Sequence, residues 1–167
     1  MRHAYRLALA LAALASSPIA DAATATGTFQ VSATVVSACT VSGALLNFGN
    51  SLDPLSAATP VDSTSALTVQ CTNSTPYAVS LSAGANAGGA TNFASRAIKH
   101  GSSTLGYQLY LDASRSTVWG DGTSSSSTQS GTGSGSNQSL TIYGRLPSLS
   151  GAVPGTYTDT VTVTITY

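Results

Sequence analysis

Residues 23–36 read ATATGTFQVSATVV. Apolar side chains fall at Phe29, Val31, Ala33 and Val35, with Thr28, Gln30, Ser32 and Thr34 between them. This is the period of two of a β-strand with one face built for burial. Ala23, Ala25 and Gly27 lead into it, small residues suited to a mobile arm. A strand with a single apolar face needs a sheet to join, and on pattern alone two readings stand open. The segment is the first strand of its own domain, or it is an arm that completes the sheet of a neighbouring copy. The alternation runs from Ala25 to Val35 and breaks at Val35-Val36, just before a second strand-like piece containing Cys39. The chain thus holds one strand more than its own connection pattern uses.

Ahead of the arm lie Arg2 and Arg6, an Ala/Leu core from Leu7 to Ala15, and Ala20-Asp21-Ala22. These are the three regions of a secretory signal, with the cut expected after Ala22. Residues 1–22 are therefore assigned to export, 23–36 to the arm and 37–167 to the domain proper. The apolar core is too short to anchor in a bilayer, no later stretch is longer, and no membrane insertion is expected. About 145 residues then remain, enough for one domain with a real core.

Charge is scarce, at 7% of residues. Beyond the signal, Arg96, Lys99, Arg115 and Arg145 face Asp53, Asp62, Asp112, Asp121 and Asp159, and there is no Glu. So few scattered cations cannot build the basic footprint that phosphate backbones require, which excludes nucleic acid as a partner. Ser, Thr and Gly take the place of charges, a composition that favours strands over helices. The two cysteines, Cys39 and Cys71, follow a secretory signal into an oxidising compartment, where pairing is the default. A metal site would need more ligands than these and His100, the single histidine beyond the signal, so no metal or other cofactor is expected.

Short strand patterns punctuated by turns run to the C-terminus. Ser37–Leu46 reads as a first strand, 51–65 as an outer loop, and 66–72 with 77–81 as a hairpin across Asn73–Pro76. Leu105–Leu111 is a strand that Ser116–Trp119 pairs with or finishes, and Gly120–Gln138 reads as a flexible tip. Leu140, Ile142 and Gly144 mark another strand. Residues 155–167, GTYTDTVTVTITY, close the chain with Val161, Val163, Ile165 and Tyr167 on one face and threonines on the other. Seven or more short strands without a helical period indicate an all-β, antiparallel sandwich.

Catalytic constellations do not assemble. A nucleophilic hydrolase would have only His100 as base, there is no G-x-S-x-G elbow, and the aspartates sit in apparent turns or at strand ends. No enzyme is expected. Trp119-Gly120-Asp121-Gly122 is the one place where an aromatic, a carboxylate and glycines gather. It reads as a lectin-like sugar loop or, more simply, as a strand end packed by Trp119 with Asp121-Gly122 making the turn.

Taken in order, Cys39 and Cys71, Tyr107-x-Leu109-Tyr110-x-Asp112, Trp119-Gly120-Asp121-Gly122, Tyr143-Gly144-Arg145 and Gly155-x-Tyr157-x-Asp159-Thr160-x-Thr162-Val163-Thr164 resemble the spore coat protein U domain. That family includes subunits of archaic, Csu-type chaperone-usher pili of Gram-negative bacteria, and the resemblance spans residues 27–167. It implies an incomplete immunoglobulin-like antiparallel β-sandwich that lacks its last strand. A periplasmic chaperone fills the groove first, and at the outer-membrane usher the N-terminal strand of the next subunit replaces it, a form of β-augmentation. On that resemblance Phe29, Val31, Ala33 and Val35 are the donor plugs, and Val161, Val163, Ile165 and Tyr167 form one wall of the acceptor groove. The implied partners are neighbouring copies or related pilus subunits, the chaperone and the usher. The implied location is an extracellular fimbrium supporting adhesion and biofilm formation, with a shaft or adaptor role. A glycan- or surface-binding adhesin, or a spore-coat-type structural protein, is the alternative.

Overall fold

A computed structural model of the chain describes residues 21–56 and 59–167. The expected signal segment, apart from Asp21 and Ala22, lies outside the described residues. Nine strands form among them: β1 (Cys39–Val41), β2 (Val61–Cys71), β3 (Pro76–Leu81), β4 (Ala97–His100), β5 (Ser103–Gly106), β6 (Gln108–Tyr110), β7 (Gln129–Thr132), β8 (Gln138–Leu146) and β9 (Val163–Thr166). One sheet has the order β1-β2-β8-β6, a second β7-β3-β9, and β4 and β5 form a separate pair. Every ladder between these strands is antiparallel.

The two larger sheets enclose one core. Leu67 and Val69 of β2, Leu109 of β6 and Leu146 of β8 meet Val79 and Leu81 of β3, all buried. Trp119, fully buried, joins them, and its indole nitrogen donates to the Val79 carbonyl at 3.0 Å. Polar groups are also enclosed. Arg96, 1% exposed, donates to the carbonyls of Ser82 and Trp119 and to the Gln108 side chain, each at 2.8 Å, and lies over the Phe93 ring. Burial pulls its guanidinium down to about 10, so it stays charged at neutral pH.

Several expected elements differ. Residues 66–72 and 77–81 do not form a hairpin, because β2 and β3 lie in different sheets. Cys71 and Tyr77 both face the core, so the chain has to cross from one layer to the other between them. The crossing is tied by the Thr72 and Thr75 hydroxyls at 2.6 Å and by Ser74 N–H to the Gly133 carbonyl at 2.9 Å. The outer loop ends earlier than expected, since β2 begins at Val61 and pairs with β8 from Val61↔Leu146 to Val69↔Gln138. Leu105–Leu111 is divided at Tyr107 into β5, which pairs with β4, and β6, which pairs with β8. Four residues of the expected flexible tip are β7, paired with β3. Gly131 makes that possible, because a Cβ there would overlap the Tyr77 ring.

Cys39 and Cys71 are bonded to one another and face each other across the β1-β2 ladder. The bridge spans a sequence separation of 32 residues. Replacing both cysteines with serine is expected to lower stability by about 3 to 4 kcal/mol in the chain-entropy account, measurable as a shift of the urea midpoint against the untreated parent.

Candidate functional site: an open seam between two strand edges

β1 and β9 are terminal strands of their sheets. Between the chain that follows β1 and the chain that leads into β9 the sandwich is open, leaving a groove of about 910 Å3. Its floor is the core itself, with Leu67, Leu81, Leu109, Ile142 and Leu146 reaching it. One rim carries Leu46 and Leu52, the other Tyr157, Val161 and Val163.

The first rim is held without a regular ladder. After β1, Ser42 N–H still donates to the Thr68 carbonyl at 2.9 Å. From there serine hydroxyls replace the backbone: Ser65 Oγ donates to the Leu45 carbonyl at 2.8 Å and Ser63 Oγ to the Asn47 carbonyl at 2.6 Å. Ser63 and Ser65 share the strand face of Leu67, Val69 and Cys71, so they draw the segment over the inner side of the sheet. Leu46 and Phe48 then occupy the space above Gly144, where a Cβ would come within 2.8 Å of Leu46 and 3.2 Å of Phe48. Glycine at this strand position is needed for that close approach.

The second rim is continuous with the β3 edge. Ser82 N–H donates to the Thr162 carbonyl at 2.9 Å and Ala85 N–H to the Thr160 carbonyl at 3.0 Å, extending the β3-β9 pairing backwards. Its start is anchored by Asp159, whose carboxylate accepts from Tyr107 Oη at 2.7 Å, from Asn86 N–H at 3.2 Å and from Asn86 Nδ2 at 3.0 Å. A Cβ on Gly84 would overlap this carboxylate. Burial, reinforced by the hydrogen bond to Asp159, raises the Tyr107 phenol well above the usual tyrosine range. Tyr157 folds back so that its hydroxyl accepts from Val153 N–H at 2.9 Å and donates to the Val153 carbonyl at 3.1 Å. The arrangement resembles the tyrosine corner of immunoglobulin-like sandwiches.

Val161 and Val163 line the groove, whereas Ile165 packs against the core and Tyr167 is exposed, neither being part of the lining. The arm, described by itself, forms no strand among the described residues, and Phe29, Val31 and Val35 are 87%, 82% and 89% exposed, with Ala33 also exposed. Leu46, Leu52, Tyr157 and Leu149 also line the groove and were not among the expected site residues. Leu52 and Leu149 stand in connecting segments without alternation, where no periodic signal marks them, whereas Leu46 ends the expected first strand and Tyr157 precedes the apolar run of the closing one.

The Trp119 loop is closed on itself. Trp119 presents no face to solvent, and a Cβ on Gly120 would overlap Ser126 and approach Phe93 to 3.0 Å. Ser126 Oγ accepts from the N–H groups of Asp121 and Gly122, both at 3.2 Å, and donates to the Thr123 carbonyl at 2.6 Å. Asp121 accepts from both the hydroxyl and the N–H of Thr123, which hold its carboxyl below the ordinary aspartate range. Among the described residues no cluster of three or more His, Cys, Asp or Glu could hold a metal ion.

The family profile described as the Spore Coat Protein U domain matches residues 25–164, a range that includes the arm as well as both rims of the groove. The chain belongs to this family. It is 34% identical over 170 residues to "Protein U" of Myxococcus xanthus, across 95% of this chain and 93% of that protein. Among solved structures, a chain from the CsuC-CsuE chaperone-tip adhesion subunit pre-assembly complex of archaic chaperone-usher Csu pili of Acinetobacter baumannii is similar at TM-score 0.54 and 24% identity. The likeness covers 80% of this chain and 40% of that one, so the SCPU domain described here spans less than half the length of the solved chain. The shared fold is an all-β, incomplete immunoglobulin-like antiparallel sandwich.

Tyr107→Phe in this SCPU domain removes one of the three hydrogen bonds to the part-buried Asp159 carboxylate. We expect a loss of about 1 to 3 kcal/mol, read as a lowered urea midpoint, with Tyr77→Phe as a control because Tyr77 does not bond to that carboxylate.

Proposed function

We propose that this SCPU domain is a structural subunit of an extracellular chaperone-usher fibre and polymerises by donor-strand exchange. The reading rests on one observation: an apolar seam lies open between two strand edges in a chain that also carries an exposed, strand-length segment of alternating apolarity. Phe29, Val31, Ala33 and Val35 of one copy are the donor side chains, and they enter the groove of the next subunit between Leu46 and Leu52 on one side and Val161 and Val163 on the other. Ile165 and Tyr167, outside the groove lining itself, extend the same chain edge toward the C-terminus, where a longer donor strand would reach them. A periplasmic chaperone holds the groove before assembly, and an outer-membrane usher is the place of exchange. The domain is thus exported through the periplasm to a surface fimbrium, where it serves adhesion and biofilm formation rather than catalysis.

The energetics suit such a joint. Burying the four donor side chains gives roughly 5 to 9 kcal/mol, and each new backbone hydrogen bond adds about 1 kcal/mol net. Rim edges without ladder partners supply the donors and acceptors for those bonds.

The unheated full-length protein is expected to run as a ladder of multimers on a detergent gel, collapsing to monomer on boiling. Phe29→Asp and deletion of residues 23–36 should each abolish the ladder while the disulfide-bonded domain still binds its chaperone. A ladder that persists in both variants removes the donor assignment.

A further inference from the structure

Two of the motifs singled out in the sequence, those containing Tyr110 and Tyr143-Gly144-Arg145, are only partly used by the core and the groove. Leu109, Ile142 and Gly144 face inward, and their neighbours Tyr110, Tyr143 and Arg145 are left on the outer face of the β2-β8-β6 sheet. The register sets Tyr110 directly opposite Tyr143, and Arg145 opposite Asp62. Side chains paired in this way stand about 4.5 to 5.5 Å apart at Cβ, so the two tyrosines form one aromatic step beside the ion pair.

A second guanidinium reaches the same step. Arg115, on the turn after β6, lies 6.0 Å from the centre of the Tyr143 ring, with Nε 3.2 Å from Asp62 Oδ1 and 3.2 Å from the Gly144 carbonyl. Its Nη1 donates to the Ala113 carbonyl at 3.1 Å. Arg145 grips the same carboxylate from the other side, with Nε and Nη2 at 2.8 and 2.9 Å. Two guanidiniums therefore share one carboxylate, and both Asp62 oxygens are taken.

The donor inventory is lopsided. Arg145 Nη1, Arg115 Nη2 and the hydroxyls of Tyr110 and Tyr143 enter no hydrogen bond among the described residues, in contrast to the Tyr107 and Tyr157 hydroxyls, which are bonded inside the fold. The unmatched groups are donors, pre-oriented by the sheet and by the Asp62 contact. The two guanidiniums outnumber Asp62, while the nearby Asp112 carboxylate is turned into its own loop by bonds from Ser114, Ser116 and Thr117. Arg145 is the more open of the two arginines, at 34% side-chain exposure against 13% for Arg115. A matching ligand presents a carboxylate to the guanidiniums. It also presents a flat, amphipathic body to the tyrosine rings, as a pyranose does.

We propose that this outer face is a binding site for uronate-bearing polysaccharide, with Arg145 and Arg115 meeting the sugar carboxylate and Tyr110 and Tyr143 stacking on the ring. The site lies on the sheet face away from the core and is independent of strand exchange. Asp62 competes with the ligand carboxylate for the same guanidiniums and so tempers affinity.

The test is native affinity electrophoresis of the full exported chain through gels containing polygalacturonate, dextran or poly-L-glutamate. Retardation by polygalacturonate alone, diminishing as salt rises from about 50 to about 300 mM, is the expected result. Arg145→Gln and Tyr143→Ala should each weaken it by about tenfold or more, with melting temperature as the check on folding. Asp62→Asn releases both guanidiniums and should strengthen retardation, an outcome that a purely structural ion pair does not produce. No retardation of the parent, equal retardation by dextran or by poly-L-glutamate, or an Asp62→Asn protein that binds polygalacturonate no better than the parent overturns the proposal. The multimer ladder should be unchanged in all three variants, which separates this site from the assembly joint.

Discussion

A strand edge inside an apolar seam has to find hydrogen-bonding partners, and this fold leaves two such edges facing one groove. Most buried backbone groups in folded proteins are paired, and open edges are usually blunted by charge, proline or a covering element. Here such devices stand only at the ends of the rims, as Pro54, Pro154 and Asp159. The β9 side is a run of alternating Thr and Val without a charge from Thr160 to Tyr167, and the opposite side from Val41 to Ser51 is also uncharged. An edge of that kind is complementary to another strand. The need for a partner is therefore part of the architecture, as the missing strand of a sandwich would require.

The rest of the molecule holds those rims apart. On one side Ser63 and Ser65 reach the carbonyls of Leu45 and Asn47, which keeps Leu46 and Phe48 over Gly144 and away from β9. On the other, Asp159 is tied to Tyr107 and Asn86, fixing the entry to the final strand against partners 52 and 73 positions earlier in the chain. Arg96 does similar work deeper in the fold, linking the carbonyls of Ser82 and Trp119 to the Gln108 side chain. In a protein with so few charges, the buried Arg96 and the part-buried Asp159 are placed where separate elements must be cross-linked, since a hydrogen-bonded polar network favours one arrangement over others.

Charge is also unevenly distributed over the exterior. The ion pairs of Asp62 with Arg115 and Arg145 sit on the outer face of the four-stranded sheet. β9, by contrast, exposes threonines, alongside Ala78 and Ser80 of β3. In the proposed reading, assembly through the seam would leave the charged and aromatic face unobstructed, so that strand exchange and ligand binding would use separate surfaces of one small domain.

The sequence by itself determined what local periodicity and composition can carry. The alternation at 161–167 marked a one-faced strand, of which Val163–Thr166 forms β9, and that at 29–35 marked a segment with one apolar face that is not itself a strand among the described residues. The pair of cysteines after a secretory signal implied the bridge now seen, and the order of motifs indicated the family. Tertiary structure alone decided which strands pair. Ser63 and Ser65 broke the apolar phase and hid the first half of β2, although their hydroxyls face inward for a reason visible only when residues 45–47 lie above them. Two adjacent alternating runs look alike whether they form a hairpin or cross between sheets, and the difference lay in Cys71 and Tyr77 sharing one core. The Asp159 network and the groove rims from Leu46 to Leu52 likewise join residues distant in sequence. Periodicity records which face of a strand is buried; it does not record what buries it.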